Sequence, residues 1–294
     1  MKKVSKDTVV YAMSAKNEPV LHVNPGESII FETWDALHGQ VKSADGGLSG
    51  LDWSRVNPAT GPVYINGAQP GDVLSVKIEH IEVAGTGLIL SGQGMGVMGA
   101  KLEGVEVKIM PIKDGYAHFS DKIRIPLNPM VGVIGVAPED GEIPCGVPDY
   151  HGGNMDCKEI KEGATLLLKV NVPGALLAMG DLHAAMADGE IAVAGLEVAG
   201  AVTVTVDIIK GKDLPLPMIL NDEYIMTLAS DEDLDAAVDM AVANMVDYLA
   251  KNEDLTPHEA TMLISLAADV CICQVVDPKK TVRVEFPRKI LPPY

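Results

Sequence analysis

The sequence predicts a mainly β fold: a multi-stranded, sandwich- or barrel-like body with a smaller α/β region of two helices near the C-terminus. Three observations predict it. Segments that alternate apolar and polar residues recur through the first two-thirds of the chain. Turn signals separate these segments, and the 29 glycines and 19 prolines favour many turns and short strands over long helices. The last third changes to apolar residues at helical spacing.

Taken in order, Pro25-Gly26-Glu27-Ser28-Ile29-Ile30-Phe31 reads as a turn glycine followed by an apolar strand. The same turn-then-strand pattern returns at Pro70-Gly71-Asp72-Val73-Leu74 and at Glu162-Gly163-Ala164-Thr165-Leu166, an echo best explained by common hairpin chemistry. Alternating strands are expected at 73–79, 105–109, 122–125, 166–172 and 202–208. Asn66-Gly67, Lys113-Asp114-Gly115 and Glu139-Asp140-Gly141 supply turns between them. A helix opens at Ser230, the expected cap, with Leu234, Ala237, Val238, Ala241 and Met245 on its apolar face. A second helix opens at Thr256-Pro257-His258-Glu259, a capping box with proline at the first helical position, and runs to about Val270. Strands at 271–276 and 281–286 close the chain. These patterns divide it into a β-rich body over 1–210, holding most of any site, and an α/β region over 211–294.

Composition narrows the function. A formal charge of −18 repels polyanions, so nucleic acid is excluded as a partner. The basic stretch Lys279-Lys280-Thr281-Val282-Arg283 reads as a solvated edge strand. No apolar run is long enough to span a membrane, and Met1–Asp7 leads into no apolar signal region, so a cytoplasmic protein with reduced thiols is expected. Cys145, Cys157, Cys271 and Cys273 form no C-x-x-C pair, which argues against a zinc knuckle. Gly94-Met95-Gly96-Val97-Met98-Gly99 has the G-x-G-x-x-G spacing, but no long helix follows to receive a pyrophosphate. A flexible loop able to close over a small substrate is the better reading.

The most informative stretch is Gly180-Asp181-Leu182-His183-Ala184-Ala185-Met186-Ala187-Asp188-Gly189-Glu190. Between Asn171 and Ile209 there is no Lys or Arg, so no basic neighbour along the chain can compensate a buried carboxylate here. The partner must be a distant residue, a metal ion or a shared proton. Asp181 and His183 lie two apart, as do Asp188 and Glu190, and on strands each pair would project to one face. His151-Gly152-Gly153-Asn154-Met155-Asp156 is a second constellation, in which paired glycines let the backbone approach a ligand. A third, Glu32-Thr33-Trp34-Asp35-Ala36-Leu37-His38, offers Asp35 and His38.

Together these segments resemble the acetamidase/formamidase family over nearly the whole chain. The resemblance rests on Glu32-Thr33-Trp34-Asp35-Ala36, Asn57-Pro58-Ala59-Thr60-Gly61-Pro62-Val63-Tyr64 and Gly67-Ala68-Gln69-Pro70-Gly71-Asp72-Val73-Leu74. It continues through Val131-Gly132-Val133-Ile134-Gly135-Val136-Ala137-Pro138, His151–Asp156 and Gly180-Asp181-Leu182-His183-Ala184-Ala185. One departure is Met186-Ala187, where the family often has Gln-Gly. The resemblance implies hydrolysis of a short-chain amide, such as formamide or acetamide, to ammonia and a carboxylate by a β-rich homo-oligomer, expected to be a dimer.

An unactivated amide needs a strong nucleophile, a polarised carbonyl and a proton for the departing ammonia. A divalent metal, Zn²⁺ ahead of Ca²⁺, Mg²⁺ or Mn²⁺, can supply the first two. Its expected ligands come from Asp35, His151, Asp156, Asp181 and His183; Glu142 or Glu190 is the expected general base, with Asn154 orienting the amide and Gly152, Gly153 and Asp188 contacting it. Two alternatives stand beside this: a thiolate nucleophile at Cys145 or Cys157, and a non-catalytic metal- or ligand-binding β protein.

Overall fold

The structure is a computed structural model that describes residues 1–291. Within them, two large sheets stack around one core. Nine strands form the first sheet in the order Lys2–Val4, Ser28–Thr33, Gly200–Ile209, Val73–Val83, Thr165–Lys169, Met218–Leu220, Tyr224–Asp231, Lys280–Pro287 and Asp269–Gln274. The second sheet has eleven, and its middle holds Thr86–Gly92, Glu197–Val198, Leu177–His183, Met130–Gly135 and Gly152–Asn154 in that order. The alternating residues Val202, Val204 and Val206 of the first sheet are buried against Val131, Ile134 and Met179 of the second. The first sheet is continuous across residue 210, since Thr165 pairs with Leu220.

The sequence logic holds at each echoing turn. Gly26, Gly71 and Gly163 all adopt positive φ, and each precedes a strand of the first sheet. Leu177–His183 differs from the alternating strands because every one of its residues is buried. A central strand covered on both faces reads as continuously apolar, and that is why an Asp and a His within it lose contact with water.

Helices α1 (Leu234–Asn252) and α2 (Pro257–Ala267) cover the outer face of the nine-stranded sheet. Ala237, Ala241, Met245 and Leu249 of α1 pack there with Val282, Val284 and Phe286. The capping box at Thr256 and Glu259 is present. Ser230 is not a cap: it lies in the strand Tyr224–Asp231, and Asp233 caps α1 by accepting from the Ala236 N–H. α2 also stops at Ala267, short of Val270, which begins pairing with the last strand. The basic stretch is not a solvated edge either. Lys280–Pro287 is flanked on both sides, Asp269–Gln274 takes the edge, and Arg283 is among the most buried side chains of the protein. No helix among the described residues is long and apolar enough to cross a membrane.

Candidate active site

Three neighbouring strands bring the acidic residues to one point. His183 ends the strand Leu177–His183 and sits directly opposite Glu197 in the adjacent strand. On the other side, Val131 pairs with Leu182 and Val133 with Gly180, which leaves Gly132 opposite Asp181. A Cβ on Gly132 would collide with Asp156 Oδ1 and stand 2.7 Å from Asp181 Oδ2. Only glycine leaves room there for two carboxylates. Asp156 follows the strand Gly152–Asn154, which pairs with Met130–Gly135. Asp277 arrives from the turn between the last two strands, and its Oδ2 accepts a 2.9 Å hydrogen bond from Asn154 Nδ2.

At the centre, His183 Nε2 lies 3.0 Å from Glu197 Oε1, 3.5 Å from Asp181 Oδ1, 3.8 Å from Asp156 Oδ1 and 3.9 Å from Glu190 Oε1. All five side chains are buried. Oxygens of Asp156, Asp181, Glu190 and Glu197, and Oδ1 of Asn154, have no hydrogen-bond partner. Buried polar atoms are normally paired, so a group of orphaned acceptors facing one another calls for a cation or protons. Two overlapping sets, Asp156–His183–Glu190 and Asp181–His183–Glu197, hold their donor atoms within 4.8 Å of one another. One imidazole with two carboxylates is a donor set that divalent metals accept. The acidic and histidine side chains are therefore consistent with a divalent metal.

The electrostatics agree. Burial, then the charge of Asp181, raises the Asp156 carboxyl to about 6. Burial, reinforced by Asp156, pushes Glu190 and Asp277 well above the ordinary carboxylate range. Burial does the same to Glu197. Burial pulls His183 down, yet Glu197 and Asp181 outweigh it and hold the imidazole well above its usual value. The far ring nitrogen, Nδ1, meets Met186 Sδ at 3.3 Å, so Met186 touches the imidazole itself. Asp156, Asp181 and Glu190 also carry positive φ, of 41°, 55° and 43°. Such backbone is uncommon outside glycine and gathers at functional sites.

The cluster lies in the wall of a cavity of about 410 Å³. Gly94, Met95 and Gly96 of the glycine-rich loop border the same cavity. The loop is tied down: Val97 N–H donates to Ile191 O at 2.9 Å, and a Cβ on Gly96 would collide with that carbonyl.

Several expected site residues lie elsewhere. Asp35 is spent on its own turn, accepting from the Leu37 and Gly39 N–H groups. His151 is buried away from the cluster, and burial lowers its imidazole to about 4, which keeps it neutral. Glu142 is exposed on a strand paired with Ala12–Ser14. Asp188 does not share a face with Glu190, because neither lies on a strand; its carboxylate takes two hydrogen bonds from Arg283, at 2.6 and 2.8 Å, and an ion pair from Lys158. Gly152 and Gly153 do not border the cavity; side chains there would collide with Ile134 O and Val147 O, so they serve close strand packing. Neither Cys145 nor Cys157 borders it, and burial pushes the Cys145 thiol up to about 12. Glu197 and Asp277 are the additions. Glu197 was legible as the lone charge in the apolar run 193–206, while Asp277 gives no signal beyond a turn before Pro278.

The sequence model of the Acetamidase/Formamidase family matches residues 15–143 and 142–292. The chain is 42% identical to a crystal structure of acetamidase from Bacillus halodurans, with 98% of each chain covered and a TM-score of 0.97. It is 46% identical to a predicted acetamidase/formamidase from Thermoanaerobacter tengcongensis, covering 99% of this chain and 96% of that one, with a TM-score of 0.96. A putative formamidase of Schizosaccharomyces pombe is 26% identical over 250 residues, which are 64% of this chain and 61% of that protein. The chain spans 61–63% of the length of the curated relatives it matches. On this evidence the chain belongs to the acetamidase/formamidase family.

Proposed function

We propose that the protein hydrolyses short-chain linear amides, such as formamide or acetamide, to ammonia and a carboxylate. The observation that carries this is the set of partnerless buried oxygens around His183 at the edge of a cavity. The family relationship supports it. A divalent cation, Zn²⁺ ahead of Ca²⁺, Mg²⁺ or Mn²⁺, held by Asp181, His183 and Glu197 with Asp156 beside them, would supply Lewis acidity to the water and the amide carbonyl.

The chain's own residues do the rest. Asn154 donates through Nδ2 to Asp277, which fixes its amide plane and leaves Oδ1 free to accept from the substrate NH₂. Glu190, whose carboxyl burial raises well above its ordinary range, takes a proton from water and returns it to the leaving nitrogen. Leu37 and the glycine-rich loop border the cavity beside them. A homodimer goes with this reading, supported by the exposed apolar side chains Phe119, Ile123 and Ile191; light scattering tests it.

Ammonia release from formamide and acetamide is the direct assay. Turnover should be abolished by EDTA and restored by added Zn²⁺, with metal analysis of the same sample. Glu190→Gln should lower kcat by about 10²–10⁴-fold while the cation is kept. Full turnover and full metal content in both Asp181→Ala and His183→Ala would refute the assignment.

A further inference from the structure

The cavity has a second wall, opposite in chemistry to the first. Leu37, Val56, Leu90, Met95, Val193 and Ala194 line it. These belong to an apolar cluster separate from the main core, drawn from the 35–57 segment, the strands Thr86–Gly92 and Val105–Lys113, the glycine-rich loop and the turn at Val193–Ala194. Size gives the first argument. Formamide or acetamide fills roughly 60–90 Å³, two or three water volumes, against a cavity of about 410 Å³. Cavities of about 300–1,000 Å³ enclose considerably larger ligands.

Backbone conformation gives the second argument. Val193 holds φ at 79°. For a β-branched residue this is a genuine outlier, and strain of this kind persists where surrounding structure enforces it. The surroundings are on the page: Val193 N–H donates to Glu190 O at 3.1 Å, so the turn that presents the Glu190 carboxylate also presents the valine to the cavity. One turn thus carries both a proton-handling group and an apolar contact.

Resting on the amide-hydrolysis reading, we infer that the preferred substrates are aliphatic amides with acyl chains longer than acetyl, of the butyramide and isovaleramide class, and that Val193 and Met95 set the preference. The carboxamide lies against Asn154 and the acidic cluster, and the alkyl chain lies along the apolar wall.

The test is kcat/KM for ammonia release across formamide, acetamide, propionamide, butyramide and isovaleramide, with the metal-loaded full-length protein. The expected rise is about fourfold per added methylene, or ~0.8 kcal/mol, as far as butyramide. Val193→Gly accepts the positive φ without strain, so it should fold; the butyramide-to-formamide ratio should fall about tenfold. Met95→Trp, at a half-buried position of the glycine-rich loop, should lower the same ratio by filling the cavity. Formamide and acetamide turned over as fast as or faster than the longer amides would overturn this inference and leave the amidase reading standing. An unchanged ratio in both variants would overturn the roles of Val193 and Met95. No turnover of any amide in the series would overturn both readings.

Discussion

Gly132 decides whether the acidic cluster can exist. It faces two carboxylates across a gap that no side chain can share. Gly132→Ala should therefore lower thermal stability by about 1–3 kcal/mol, the usual range for overpacking, and should reduce bound metal even in the folded fraction. Differential scanning calorimetry and metal analysis on the same preparation check both. The pH dependence also belongs to single residues. Asp156, raised to about 6, binds its proton more tightly in the folded state than in the unfolded chain, where a carboxyl titrates near about 3.9. Its contribution to stability is then fully present below the unfolded value and is lost as pH rises through about 6. Metal-stripped protein should melt at a higher temperature at pH 5 than at pH 7, and Asp156→Asn should flatten that difference. At this scale the sequence was half legible. Asp181 and His183 lie two apart on one strand, and the missing Lys and Arg around them made their burial costly on sight. Asp35 and His151 misled because a turn and a packed loop use the same residue types as a metal site.

Elements were read more reliably where their signals are local. The Thr256–Glu259 box needs only four consecutive residues, and it is present. The start of α1 was misplaced because Ser230, Asp231 and Asp233 can all cap a helix, and only the pairing of Ser230 with Thr281 and of Asp231 with Lys280 extends the strand past the first candidates. Asp233→Ala should cost ~1 kcal/mol, within the usual range for a lost N-cap, whereas Ser230→Ala should not unwind the helix. Urea melts followed by circular dichroism distinguish the two. Edge against centre was the harder distinction. Lys280–Pro287 carries four basic residues with its flanks, and nothing local reveals that another strand will cover it.

Across the whole molecule, the two sheets are joined at the site as well as through the core. Arg283 belongs to the nine-stranded sheet, and Asp188 lies in the segment that follows the central strand of the other. Burial pushes the Asp188 carboxyl up, but hydrogen bonds from Arg283 and Lys158 outweigh it and hold it below its ordinary value. Beside them, Gly189 N–H donates to Cys273 O and Val275 N–H donates to Gly189 O. Arg283→Met should destabilise the protein, because it removes both hydrogen bonds that the buried guanidinium gives to the half-buried Asp188; a thermal melt checks it. Since a depressed carboxyl stabilises above its unfolded pKa and loses that effect as pH falls through the folded one, Asp188→Asn should reduce the fall in Tm between pH 5 and pH 3. None of this long-range pairing was legible, because Asp188 and Arg283 stand 95 positions apart.

That separation has a consequence for biosynthesis. A ribosome delivers Asp188 and Glu190 long before Asp277 and Arg283. Until the hairpin of Asp269–Gln274 and Lys280–Pro287 emerges from the exit tunnel, the acidic turn has neither its guanidinium tether nor its full complement of carboxylates. The cluster around His183 is in this way completed only after the strands that carry it and that hairpin have all been made.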